Sequence, residues 1–274
     1  MTRRSRSVLL IYLYLGAVAA LVVVPYIWVL LATLKDNVEI FTKPFSLPMV
    51  WHFENYSNAW ITGKFGIYYK NTIIVSGLSV LIVLGTVVPA AYAVAKLEFP
   101  GRKVVLYVLL LGLIIPFYSI MIPLFYTLRG LKLLNTYLGM VFPMVAIHIA
   151  FGIFLMRSFF LSVPRDLMDS ARVDGCGELK VFTRIAMPMA RSAVTSLAIF
   201  QTVWSWNEFL IPLLYSQSDR MRPIMLGMMY FEGRYTTDYS LSMAGAIIVS
   251  FPLLVIFLIF NRRFIQGFVR GAFK

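Results

Sequence analysis

Few residues in this 274-residue chain are equipped for chemistry, and their spacing excludes most of it. The two histidines, His52 and His148, lie far apart, and neither stands at a ligand interval from the single cysteine, Cys176, so a metal centre has no support. No GxxxxGK[ST] loop occurs; if nucleotide energy is used, another polypeptide must bind the phosphates. No nucleophile, base and metal fall together, so no catalytic residue is expected. Acids remain: Glu208 inside a long apolar run, and Asp166, Asp169 and Asp174 in a charged segment. An acid at membrane depth is costly unless it faces a cavity or a partner, which makes Glu208 a candidate for a solute pathway. Near the end of a span it reads equally well as an interfacial carboxylate. Trp204, Trp206 and Asn207 beside it add aromatic faces and hydrogen-bonding groups, although indole rings also gather at membrane interfaces as anchors. His148, alone in its apolar stretch, reads as a packing residue.

The elements that must carry these residues follow from composition. Only 14% of residues are charged and 60% are hydrophobic, against roughly 25% and about 45–50% in soluble domains. That excludes disorder, and one cysteine excludes a disulfide framework. The net charge of +13 is scattered between uncharged runs, so the implied partner is membrane lipid and not nucleic acid. Six apolar stretches, 8–34, 71–95, 104–128, 136–156, 192–214 and 241–260, are long enough to cross a bilayer as helices. The expected fold class is therefore all-α, with six transmembrane helices. The first stretch follows Arg3, Arg4 and Arg6 but runs too far past Ala17-Val18-Ala19 to be a cleaved signal, and should remain as an anchor. Sixteen of the 25 Lys and Arg fall in 1–7, 96–103, 157–191 and 261–274. Those segments, both termini included, should face the cytoplasm. Every span holds proline (Pro25, Pro89, Pro116 with Pro123, Pro143, Pro212 and Pro252), which favours bends. Bending is tolerated in any membrane helix, or it leaves crevices for a solute.

The only sizeable inside segment, 157–191, resolves into two short helices. Pro164 suits the first helical position, with Asp166 and Asp169 near the positive end of the dipole. Leu167, Met168 and Ala171 make a small apolar face, and Gly175 before Cys176 and Gly177 can take the left-handed cap conformation. A second helix starts near Glu178 with Val181, Phe182 and Ile185 on one face, and Pro188 marks its end. On pattern alone, such helices could lie along lipid headgroups.

The order of residues points elsewhere. Asp169-Ser170-Ala171-Arg172-Val173-Asp174-Gly175, with Pro188 thirteen residues after the glycine, resembles the EAA loop of ABC-importer permeases, whose usual form is Glu-Ala-Ala-x-x-Asp-Gly. Asn55-Tyr56, Ala91-Tyr92-Ala93, Ile122-Pro123-Leu124, Trp206-Asn207-Glu208-Phe209 and the ending Arg262-Arg263-Phe264 through Gly271-Ala272-Phe273-Lys274 are similar to the carbohydrate-uptake branch, particularly its shorter, maltose-permease-like subunit. Asp169, Ser170 and Cys176 depart from the usual Glu, Ala and Ala, and the shorter carboxylate puts in doubt a direct ion pair with the ATPase.

The resemblance implies a single type I permease domain over 1–274, in a bacterial or archaeal cytoplasmic membrane. It implies an ABC ATPase dimer carrying ATP and Mg, a second permease subunit, different rather than identical, and an extracytoplasmic solute-binding protein touching the 215–239 loop. No cofactor is expected on this chain. Pro164, Leu167, Met168, Asp169, Ala171, Arg172, Asp174, Gly175 and Phe182 would dock the ATPase, and Trp204, Trp206, Asn207 and Glu208 would border the path of a sugar or another polar solute. The competing classes are an ion-coupled carrier, which would need more charge in mid-span, and a membrane-embedded transferase built on the three aspartates.

Overall fold

The computed structural model describes residues 3–233 and 236–272, with side chains at 8, 10–233 and 236–260. Phe273 and Lys274 lie outside the described residues, and the basic side chains of both terminal segments outside the described side chains.

Hydrocarbon offers no partner for backbone N–H and C=O groups, so apolar runs coil into helices that satisfy their own. Among the described residues no strand forms; the one β contact is an isolated bridge between Glu232 and Thr237. The helices are α1 (Arg3–Ala32), α2 (Asn37–Thr42), α3 (Glu54–Thr62), α4 (Phe65–Lys96), α5 (Arg102–Leu111), α6 (Phe117–Gly130) and α7 (Tyr137–Ser162). There follow α8 (Arg165–Val173), α9 (Glu178–Val181), a π turn (Phe182–Ala186), α10 (Met187–Met189), α11 (Arg191–Asn207), α12 (Leu210–Tyr215) and α13 (Tyr239–Ala272). Among the described residues, four stretches are long and apolar enough to cross a membrane unbroken: Leu10–Ala32, Phe65–Lys96, Tyr137–Ser162 and Tyr239–Phe260.

The other two expected spans, 104–128 and 192–214, are not single helices, and proline chemistry accounts for both corrections. In the first, α5 ends in three-residue turns such as Leu113 N–H to Leu110 O (3.0 Å). Pro116, which keeps the residue before it out of the helical region, then adopts φ −71°, ψ 134° ahead of α6. In the second, Pro212 has no N–H to offer the carbonyl four residues back, that of Glu208, and its ring crowds that carbonyl. Glu208 leaves the helical region (φ −69°, ψ 122°) and α12 begins after it.

The chain divides into two compact units, Met1–Gly66 with Gly227–Pro252, and Ile67–Leu226 with Leu253–Lys274. In the first unit, the side chain of Asn37 joins both Asp238 (Nδ2 to Oδ1, 3.1 Å) and the Ser240 N–H (3.1 Å). Its fully buried Lys35 donates to the Lys43 carbonyl at 2.7 Å.

The second unit holds the large apolar core, in which Val83, Val87 and Ala91 of α4, Met140, Met144 and Met156 of α7 and Leu197 of α11 are buried. Gly152 is what lets α7 approach both neighbours. A Cβ there would stand 2.9 Å from a Val87 methyl and 3.4 Å from a Leu197 methyl. Small residues at such crossings are how membrane helices gain contact when lipid is as apolar as they are. Replacing Gly152 with Leu is expected to cost about 1–3 kcal/mol of overpacking and to lower the thermal unfolding midpoint in detergent. Gly85→Ala, at a helical position with no atom within 4 Å of the added carbon, is expected to leave that midpoint unchanged or slightly raised.

Candidate functional site

The segment between α7 and α11 is built around one bend. Before it, the last turn of α7 leaves carbonyls without helical partners. Lys96 at the end of α4 donates to the Val163 carbonyl at 2.6 Å and reaches that of Leu161 at 3.5 Å, which ties the two helix ends together. Pro164, with ψ 133°, precedes the first helical residue, Arg165, by one position.

At the far end of α8, Gly175 takes φ +81°, the left-handed conformation that a Cβ penalises. The Cys176 N–H bonds the Ala171 carbonyl at 2.9 Å and the Gly175 N–H bonds that of Arg172 at 3.0 Å. These paired bonds, spanning five residues and three, make a Schellman cap, so the turn is a defined elbow. Arg172 then closes it from outside. Its Nε donates to Glu178 Oε1 at 2.6 Å across the bend, and its Nη1 reaches Asp169. From α4 the Tyr92 hydroxyl donates to Glu178 Oε2 at 3.1 Å. The Arg172 hydrogen bond holds the Glu178 carboxyl below the ordinary carboxylate range, against a smaller opposing effect of burial. A carboxylate lowered on folding stabilises fully above its unfolded pKa of about 4.3. That contribution disappears as pH falls through the lowered value. A cavity of about 580 Å³ opens beside the elbow, with Lys96, Glu98, Arg165, Asp169 and Arg172 among its walls.

The sequence places Leu167, Met168 and Ala171 on one docking face; the structure divides them. Met168 is 1% exposed and Ala171 9%, both within the chain's own core. Phe182 also turns inward, its ring 5.0 Å from Tyr92 and 6.4 Å from Phe160. These three fix the elbow to the body of the second unit. The outward apolar surface is Leu167 with two residues that the sequence reading passed over, Val173 (87% exposed) and Leu179 (75%). Their signal was available: two large aliphatic side chains on either side of a glycine elbow, off the apolar face. Asp169, Asp174 and Gly175 are exposed, with Arg172 half-buried between them.

The second candidate group sits at the C-terminal end of α11, and its side chains take different surroundings. Trp206 is buried and packs edge-on against Tyr69 at 5.8 Å. Asn207 is exposed and its amide donates to the Val203 carbonyl at 2.8 Å. Glu208 Oε1 accepts from the N–H groups of Leu210 (2.9 Å) and Ile211 (3.1 Å), which makes it the side-chain cap of α12. Trp204 lies with its ring 4.6 Å from that of His148. Among the described residues, no cluster of three His, Cys, Asp or Glu could hold a metal.

Residues 85–270 match the family described as the binding-protein-dependent transport system inner membrane component. The chain belongs to this family. It is 36% identical over 260 residues to the diacetylchitobiose uptake system permease protein NgcG of Streptomyces coelicolor, covering 93% of this chain and 85% of that one. It is 31% identical over 268 residues to the arabinooligosaccharides transport system permease protein AraQ of Bacillus subtilis, covering 96% and 94%. A chain of a bacterial ABC transporter involved in import of the acidic polysaccharide alginate shares the fold, with a TM-score of 0.79 at 22% identity over 96% of this chain and 98% of that one. The matched stretch includes the elbow and all of α11 and α12. This permease is a transport subunit of the type I ABC-importer fold, as the sequence resemblance led one to expect.

Gly175→Ala meets no steric obstacle, since nothing lies within 4 Å of the added carbon. Its cost is backbone strain alone, about 1–2 kcal/mol. Hydrogen exchange at the Gly175 and Cys176 amides should accelerate by roughly five- to thirtyfold, while exchange in α7 stays unchanged.

Proposed function

We propose that this chain is the permease subunit of an ATP-driven, binding-protein-dependent importer of a sugar or oligosaccharide, and that the Gly175 elbow couples it to a separate ATPase. The observation that carries the reading is the elbow itself. It is a bend stiffened by paired backbone bonds and the Arg172–Glu178 bridge, anchored inside by Met168, Ala171 and Phe182, and presenting Leu167, Val173 and Leu179 outward. An element that only lay on headgroups would need no such internal bracing. Burying one or two of the exposed aliphatic side chains in a partner's cleft contributes about 1.5–3 kcal/mol each. The inward residues pass the partner's movement to α4 and α7.

The sugar assignment is supported by the named relatives, which are permeases for diacetylchitobiose and arabinooligosaccharides. A further solved relative, at TM-score 0.67, was captured with a periplasmic protein carrying an alginate pentasaccharide. That supports an extracytoplasmic binding protein as partner, touching the 215–239 segment. In this reading the chain crosses the cytoplasmic membrane six times, four times as unbroken helices and twice as the broken pairs α5–α6 and α11–α12, with both termini inside. It pairs with a second, different permease subunit and with an ABC ATPase dimer that holds ATP and Mg, and carries no cofactor itself. Trp204 and Asn207 border the path, while Trp206 and Glu208 hold the outer end of α11 and the start of α12 in place.

Gly175→Trp should insert and assemble with its companion subunit yet lose transport, because the indole occupies the surface the ATPase must reach. Gly175→Asn, which tolerates the left-handed conformation, should keep most of it. Normal uptake by the Trp variant overturns the coupling role. Cys176 supplies an independent check of orientation as the chain's single thiol. An impermeant maleimide should label it in inverted membrane vesicles and leave it unlabelled in right-side-out ones.

A further inference from the structure

The connection between α2 and α3 carries an apolar surface that the rest of the first unit leaves open. Residues 44–53 contain no Asp, Glu, Lys or Arg, and most of their side chains are large and apolar. Phe45 is 89% exposed, and Leu47, Met49, Val50, Trp51 and Phe53 are between 49% and 70% exposed. A contiguous apolar patch of this kind marks a contact with membrane or protein.

Hydrogen bonds show that the surface is built. The fully buried Lys35 ammonium donates to the Lys43 carbonyl at 2.7 Å and to the Ser46 hydroxyl at 3.3 Å. The buried Glu39 carboxylate accepts from the Met49 N–H at 2.9 Å, and the His52 N–H bonds the Leu34 carbonyl at 3.0 Å. These bonds draw polar groups to the underside of an arch and leave its apolar side chains on the open side.

Trp28 fixes the depth of the arch. Its indole Nε1 donates to the Pro44 carbonyl at 2.8 Å. Trp28 lies within the apolar stretch Leu10–Ala32, four residues before its end, which is about 6 Å along the helix. Helical side chains lean toward the N-terminus, so this bond holds Pro44 and Phe45 at the level of the last turn of the span. The other foot, His52 on Leu34, stands just past that turn. The arch therefore lies at the depth where headgroups give way to acyl chains. Lys43, exposed beside the deeper foot, has a stem long enough to carry its ammonium up to the phosphates.

We propose that residues 44–53 are an interfacial arch that seats the first unit in the phospholipid of the outer leaflet, with Phe45, Leu47 and Val50 among the upper acyl chains and Trp51 at the headgroups. An indole, with an apolar body and one N–H, suits that boundary. The occupant is lipid because of the depth, and because the arch joins a span whose own last turns are exposed at Val24, Ile27 and Leu30. A protein partner would call for hydrogen-bonding groups spread over the face. Here the Ser46 hydroxyl is turned onto the Lys43 carbonyl at 3.0 Å, and the His52 ring pairs with Glu54 at 2.7 Å. The choice of leaflet rests on the topology proposed above; the depth does not.

The test uses the whole importer in lipid nanodiscs, with Cys176→Ala in this chain and one nitroxide label at a time on Phe45→Cys, Leu47→Cys or Val50→Cys. Ser57→Cys serves as the solvent reference. Collisions with oxygen, which dissolves in hydrocarbon, and with a nickel chelate, which stays in water, are measured by electron paramagnetic resonance. Side chains seated about 5–10 Å into the boundary should raise the oxygen-to-nickel ratio by roughly threefold or more over the reference. A ratio equal to the reference overturns the arch, since the surface would then face water. Suppressed collisions with both reagents also overturn it, since the companion subunit or the binding protein would then cover the surface. A second measurement needs no label: lipids brominated high on the acyl chain should quench the fluorescence of the wild-type importer more than that of Trp51→Phe, and equal quenching overturns the proposal. An inverted topology would instead show itself as Cys176 labelling in right-side-out vesicles, while the arch labels keep their preference for oxygen.

Discussion

Every interruption of a helix in hydrocarbon exposes backbone groups that water cannot reach, and the architecture of this permease follows from how each one is answered. Arg102 donates to the carbonyls of Val94 and Ala95, closing the end of α4. Lys96 does the same for the end of α7. Glu208 takes the first amides of α12. Farther out, Asn71 donates to the carbonyls of Arg220 and Arg222 and accepts from the Tyr137 hydroxyl, while Thr72 Oγ1 accepts from the Ile224 N–H. These charged and amide side chains are therefore spent on backbone. Fixed loops and broken helices can persist where an open bilayer would not tolerate them.

The same economy explains why the elbow is stiff. A helix of nine residues is marginal by itself. Burial of Met168 and Ala171 gives α8 its stability, and the left-handed glycine with its two backbone bonds fixes the direction in which the chain leaves. Arg172 and Glu178 meet across the bend, and Tyr92 connects that pair to α4. A displacement applied at Leu167 or Val173 thus reaches α4 and α7 through contacts already formed. Coupling between an external motor and membrane helices needs such continuity, because a slack connection would absorb the movement.

Gln201, buried in α11, instead lies against the His148 ring of α7, between helices packed closely enough to need Gly152. Neighbouring side chains at one helix end can still take separate roles in packing. Trp204, Trp206, Asn207 and Glu208 illustrate the separation over five consecutive positions of one helix end. One indole faces His148, the other is packed on Tyr69, and the carboxylate is committed to a cap.

Hydropathy alone establishes that the chain is helical and resides in a membrane, and the glycine's own backbone freedom marks a bend at Gly175, because those properties depend on local composition and local conformation. The breaks at Pro116 and Glu208 were foreshadowed by proline but not located by it, since a membrane helix bends or breaks at proline according to whether neighbours satisfy the freed groups. Tertiary structure alone decided which face of α8 is inward. Met168 and Leu167 are adjacent and equally apolar, and only the position of α4 and α7 tells them apart. It decided too that His148 and Gln201 meet, for no local pattern relates residues on two helices whose contact is set by the close approach at Gly152.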